Sequence, residues 1–149
     1  MLIGVPCSGK STWVSKQIWA VDCKYISTDK YVEEIALERD QTYSEVFQSV
    51  MPWCVEKMVE DVINAREDKK NIIWDQTSTT ITSRTKKFRM LPEYYKIAVV
   101  FRTPVRDELD VRLCGRPGKH IPKNVIDSMI NNWEEPTLEE GFDEIWYAS

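Results

Sequence analysis

The stretch Gly4-Val5-Pro6-Cys7-Ser8-Gly9-Lys10-Ser11 fits the spacing G-x-x-x-x-G-K-[ST], and the residues on both sides suit the same reading. Met1-Leu2-Ile3 is a short apolar run that can end a strand, and Thr12 to Ala20 contains neither Gly nor Pro and can continue as a helix. Strand, tight loop and helix form the setting in which this spacing binds phosphate. The glycines let backbone N–H groups turn inward onto phosphate oxygens, and the helix N-terminus adds partial positive charge. Gly4, Pro6, Cys7, Ser8, Gly9 and Thr12 would then shape the loop around a bound ATP. Lys10 would reach its terminal phosphates, and the Ser11 hydroxyl would ligate Mg2+. The competing reading is an ordinary glycine-rich turn with an exposed lysine.

The rest of the chain is consistent with one domain spanning 1–149, long enough for a real core. Its 42% hydrophobic and 30% charged residues describe a globular protein and exclude a disordered one. No run approaches the ~20 apolar residues of a membrane span, and no basic region precedes the first apolar run as in a signal peptide. Cys7, Cys23, Cys54 and Cys114 are scattered without C-x-x-C spacing, which argues against a disulfide framework or zinc site and makes a reducing cytoplasm the expectation. The net charge of −4 disfavours a protein that coats long nucleic acid, although a short basic groove remains compatible. Lys and Arg cluster at Arg84 to Arg89 and at Arg102 to Lys119, while acidic residues gather from Glu134 to Glu144.

Strand and helix signals alternate. Lys24-Tyr25-Ile26-Ser27 and Asn71-Ile72-Ile73-Trp74-Asp75 read as strands, Lys96 to Phe101 as a strand buried on both faces, and Phe142 to Tyr147 as a last one. Between them lie helical segments: Lys30 to Leu37; a stretch in which Val55, Met58, Val59, Val62 and Ile63 form a core face and Pro52 kinks or restarts the chain; a helix capped by Thr82 or Ser83 and running to Arg89; a helix with Pro104 in its first turn that ends by Leu113; and Pro122 to Trp133. The expected fold is α/β, a P-loop NTPase-type three-layer sandwich with a mainly parallel sheet and a helical lid. In such sheets ligands bind beyond the carboxyl ends of the strands, where the Gly4 loop, Asp29 and Asp75 all fall.

Phosphoryl transfer needs held phosphates, neutralised charge and an oriented nucleophile. Asp29 can take the proton of an attacking hydroxyl, or simply cap the helix that starts beside it. Asp75 can position Mg2+ through water, or be a turn carboxylate satisfied by the backbone of Thr77 or Ser78. Arg112 and Arg116, four apart, share one helix face and precede Pro117-Gly118; they suit a lid over a nucleotide, or a solvated surface. Arg84, Lys86, Lys87 and Arg89 can wall an acceptor groove, or form a solvated helix face. His120 alone makes no metal site.

The order of these motifs resembles the kinase domain of 5′-hydroxyl polynucleotide kinases, both the bacteriophage end-healing enzymes and the animal DNA-repair enzyme. Gly4 to Thr12 looks like that family's G-x-P-x-S-G-K-S-T loop, Ser27-Thr28-Asp29 stands in the place of its N-R-D motif, and Asp75-Gln76-Thr77-Ser78 resembles its D-x-T-N motif. Arg112-Leu113-Cys114-Gly115-Arg116 matches the R-x-x-x-R of its lid. His120-Ile121-Pro122 and Trp133 to Phe142 resemble the tail of the animal enzyme most closely. The resemblance implies ATP and Mg2+ as cofactors, a nucleic-acid 5′-hydroxyl end as acceptor, Asp29 as the base, Lys10 and Arg116 on the transferring phosphate, and Thr28 and Thr77 near the acceptor. The chain departs from the phage enzymes at Val32, where they place an arginine three residues after the base. Two other functions remain compatible with the residues alone: a kinase for a small acceptor such as a nucleoside, nucleotide or sugar, and a nucleotide-binding module without transfer activity.

Overall fold

The apolar runs become five short strands and six helices within residues 1–148, which the computed structural model describes. The strands are β1 (Leu2–Ile3), β2 (Lys24–Ile26), β3 (Ile72–Trp74), β4 (Ile97–Phe101) and β5 (Glu144–Ala148). The helices are α1 (Lys10–Ser15), α2 (Thr28–Glu38), α3 (Tyr43–Glu67), α4 (Ile81–Phe88), α5 (Arg106–Cys114) and α6 (Lys123–Asn131). Short 3₁₀ turns occupy Ile18–Asp22 and Leu138–Glu140.

All the strand pairings are parallel: β2 with β3, β1 with β4, and β4 with β5. A parallel bridge between Leu2 and Asp75 joins the two ladders, which gives the order β2–β3–β1–β4–β5. Parallel neighbours need crossover connections, and the helices provide them. The chain leaves β1 for the far edge of the sheet and later passes from β3 across β1 to β4. The carboxyl ends of β1 and β3 therefore sit where the connections diverge, the usual place for a ligand crevice.

Side chains alternate across the sheet. Leu2, Ile73, Val99 and Phe101 pack on one face with Trp13 and Val14 of α1. On the other face Ile26 and Trp74 meet Met58 and Val62 of α3, while Ile3 and Ala98 meet Phe142. Beyond β1, Val5 packs with Leu109 of α5 and Ile126 of α6. A parallel sheet covered on both faces is the three-layer sandwich expected from the sequence.

Several boundaries differ from the sequence reading. The first helix stops at Ser15, well before Ala20; Ser15 Oγ donates to Thr12 O and Gln17 Nε2 to Trp13 O, occupying carbonyls that longer helix would have used. Helix α3 runs through Pro52 without a break. Its buried stripe is Val46, Val50, Cys54, Met58 and Val62, whereas Val55 and Ile63 stay 42% and 46% exposed. Each four-residue step turns about 40° around the axis, so the stripe rotates as α3 passes from α2 onto the sheet. The cap of α4 is Thr80, whose hydroxyl accepts from Ser83 N at 3.3 Å. Helix α5 begins at Arg106, two residues past Pro104.

Candidate active site

The loop after β1 is built from the residues its spacing demanded. Cys7 and Gly9 take left-handed conformations, with φ of 61° and 99°, and such alternation turns successive N–H groups toward one centre. A side chain at Gly4 would meet Ser8 Oγ at 2.5 Å and Phe101 Cβ at 3.0 Å, so only glycine lets the loop close against β4. Gly4 N donates to Thr77 O at 3.0 Å, which ties this loop to the segment after β3. Lys10 Nζ donates to Gly4 O and Val5 O, each at 2.9 Å, leaving its third proton for another acceptor. Burial lowers the Lys10 ammonium from its ordinary range; the carboxylates of Asp75 and Asp29 oppose that shift, and Arg116 reinforces it.

Asp75 follows β3 and is buried. The Tyr25 hydroxyl, from β2, donates to Asp75 Oδ2. Burial raises the Asp75 carboxyl above the usual range, against the pull of Tyr25 and Lys10.

These residues suit a phosphate chain with its cation. Ser8 Oγ is buried in the loop with no hydrogen-bond partner among the described residues, and the inward N–H groups offer further donors. Among the described residues no three His, Cys, Asp or Glu gather as a metal cluster. Mg2+ requires less, because one or two protein oxygens together with substrate phosphates hold it. The Ser11 hydroxyl and the Asp75 carboxylate are oxygens of that kind.

Asp29 lies in the first turn of α2, after the N-cap Ser27. Its oxygens serve neither as cap nor as turn acceptor. Oδ1 accepts from the Tyr43 hydroxyl at 2.5 Å, and Oδ2 from Lys119 Nζ at 2.9 Å. Burial alone would raise its pKa; the charge of Lys119 and the Tyr43 hydrogen bond outweigh burial and hold the carboxyl below its ordinary value. The group is therefore an ionised, oriented carboxylate at neutral pH.

The expected lid arginines reach the phosphate loop. Arg112 Nη1 donates to Cys7 O at 3.0 Å while its Nη2 pairs with Glu108 one helical turn back. Arg116 Nη1 approaches Cys7 Sγ at 3.6 Å. The turn that follows is docked on the start of α3: Ser44 N donates to Gly118 O at 3.1 Å, and His120 N to Ser44 Oγ at 2.8 Å. Gly118 has φ of 70°, and a side chain there would strike Thr42 Cβ at 2.8 Å.

The acceptor side needs correction. Arg84 and Lys87 form no exposed wall. Arg84 is fully buried, pairing Nε with Glu140 Oε1 at 2.6 Å and donating from Nη1 to Ser78 O at 3.0 Å. Lys87 is buried with its Nζ on Ser78 Oγ at 2.5 Å. Both face inward because the acidic segment Glu134–Glu140 closes over this side of α4, with Glu134 N donating to Thr79 O. Lys86 and Arg89 remain exposed. Thr28 is buried, its Oγ1 accepting from Gln76 Nε2 at 3.1 Å, so its hydroxyl braces the Asp75 loop from within. Thr77 is half-buried and touches the phosphate loop through its carbonyl. Pro6 is half-buried in the loop, and Thr12 is exposed on α1.

Sequence reasoning missed Tyr25, Tyr43 and Lys119. Only Lys119 carried a signal, as the end of the basic run that starts at Arg102. An open cleft of about 560 Å³ lined by Val100, Arg102, Trp133 and Tyr147 among others lies beyond β4 and β5, and none of its lining residues belongs to the charged cluster. No helix among the described residues is long and apolar enough to cross a membrane. A family model described as an AAA domain matches residues 1–136, most of the chain. That family is of P-loop, nucleotide-binding, kinase type.

Proposed function

The chain belongs to the AAA-domain family that matches it, and on that premise we propose that it transfers the γ-phosphate of ATP to the 5′-hydroxyl end of a polynucleotide. The observation that carries the reading is Asp29: an ionised carboxylate, fixed by Tyr43 and Lys119, in the electrostatic field shared by Lys10 and Arg116. A module that merely binds nucleotide has no use for such a base. Lys10 and the loop amides hold the terminal phosphates, and Arg116 neutralises charge on the transferring group. Ser11 and Asp75 would hold Mg2+, which when bound would offset charge on the phosphate oxygens. Asp29 takes the hydroxyl proton as the acceptor oxygen bonds to phosphorus and the bond to ADP breaks. The polynucleotide acceptor is supported by the resemblance of Asp75 to Ser78 and of Trp133 to Phe142 to polynucleotide kinases.

One observation favours a small acceptor instead. With Arg84 and Lys87 in the interior, the basic run keeps only Lys86 and Arg89 on the surface. Labelled ATP offered with 5′-hydroxyl RNA and DNA, single- and double-stranded, against free nucleosides decides between the two. Label on the oligonucleotides is expected; label confined to nucleosides would overturn the polynucleotide reading.

A further inference from the structure

The same short segment of chain touches both halves of the site. Arg112 and Arg116 meet the phosphate loop at Cys7, and three residues later Lys119 meets Asp29. We propose that Lys119 is a positioning residue which, with Tyr43, orients the Asp29 carboxylate and couples docking of the lid to readiness of the base. This rests on the reading of Asp29 as the base for the acceptor hydroxyl.

The geometry argues for orientation. The Lys119 side chain is only 8% exposed although its residue belongs to a surface turn, while that of Asp29 is 50% exposed. The ammonium lies over the Tyr43 ring at 4.3 Å from its centre, a cation–π contact that holds it in place. Tyr43 and Lys119 each donate to a different oxygen of Asp29, which fixes the plane of the carboxylate. Two ionised oxygens offer about four lone-pair sites, so positions remain for an incoming hydroxyl on the exposed side. The Gly118 carbonyl and the His120 amide clamp the turn to Ser44 at either side of Lys119. If the turn undocked, Lys119 would leave Asp29 along with it.

The groups around Asp29 come from every neighbouring element: Tyr43 from α3, Lys119 and Arg116 from the lid, Glu33 from the next turn of α2 at 4.0 Å from Lys119 Nζ, Lys10 from the phosphate loop, and Asp75 and Tyr25 from the sheet. Lys119 is the cation in direct contact. Its charge favours the ionised carboxylate, so removing it raises the pKa of Asp29 and shifts loss of the base form to higher pH.

The test uses the full chain with Lys119→Met, Lys119→Arg and Tyr43→Phe, assayed with ATP and a 5′-hydroxyl oligonucleotide. In Lys119→Met we expect kcat to fall about tenfold or more, ATP affinity to persist, and the acid limb of the pH–kcat profile to move upward. Lys119→Arg should restore most of kcat, and Tyr43→Phe should lower kcat while leaving ATP affinity intact. Unchanged kcat and an unmoved acid limb in Lys119→Met would overturn the proposal. A carbon NMR titration of the Asp29 carboxyl, without substrates, gives a readout independent of turnover: its midpoint should rise in Lys119→Met, and an unchanged midpoint would also overturn it. If the wild-type protein phosphorylated no 5′-hydroxyl strand, the acceptor reading would fall, while that titration would still decide the role of Lys119.

Discussion

At the scale of single residues, Asp29 is set apart from other helix-start carboxylates by what donates to it. A capping aspartate takes backbone N–H groups; here both oxygens take side-chain donors, from residues 14 and 90 positions away. Asp29→Asn keeps the shape and removes the basicity. Equilibrium binding should show ATP affinity intact, and single-turnover assays should show kcat reduced by about 10²-fold or more. Normal turnover would reduce Asp29 to a structural partner of Lys119. Lys87 offers a second test. Burial lowers its ammonium from 10.5 to about 8, so between those values the unfolded chain binds more protons than the folded one. Stability therefore rises with pH across that window as the buried charge is lost, and the destabilisation is fully present below it. In Lys87→Met the contribution of this group should vanish, leaving a flatter stability curve between pH 8 and 10.5. Chemical denaturation at several pH values reads this, and equal slopes in both proteins would refute it.

At the scale of elements, α4 braces the fold through its inward face, where Arg84 and Lys87 are buried. Arg84 bridges Ser78, which has φ of 49°, and Glu140 in the last 3₁₀ turn. Glu140 also accepts from Thr137 N at 3.0 Å, closing a capping box. The C-terminal segment and the Asp75–Thr80 loop are thus held by one guanidinium. Removing one partner of a buried pair leaves the other charge uncompensated. Arg84→Met should cost about 3–5 kcal/mol in urea unfolding, and adding Glu140→Gln should recover part of that loss. A surface arginine on an acceptor groove would behave differently, with little change in stability and a clear loss of oligonucleotide affinity.

At the scale of the whole molecule, charge limits how the protein can grip a strand. The net charge is −4, and two of the four basic side chains of the Arg84–Arg89 run are spent inside the fold. If Lys86 and Arg89 are the remaining contacts, each phosphate neutralised adds just under one unit of log–log salt slope. Oligonucleotide binding should then show a slope no steeper than about 2 and little gain with strand length beyond a few nucleotides. Filter binding across a salt series measures this. A steep slope, or affinity climbing steadily with length, would place a longer basic track elsewhere on the surface.

The sequence by itself determined the phosphate loop, the α/β class and the approximate place of every strand. Those features depend on short-range rules: Gly4 and Gly9 at fixed spacing, apolar runs such as Ile97–Phe101, and arginines one helical turn apart. Only the tertiary structure decided which cations face solvent and which donors orient Asp29. Arg84 and Lys87 have the spacing of a solvated helix face until Glu140, 56 residues on, supplies a buried partner for the first. Lys119 is one lysine in a basic run until the lid turn docks against Thr42 and Ser44. Helix and strand periodicities speak to neighbours within a few residues. Which distant side chains meet depends on strand order and on the crossovers that fold over the sheet.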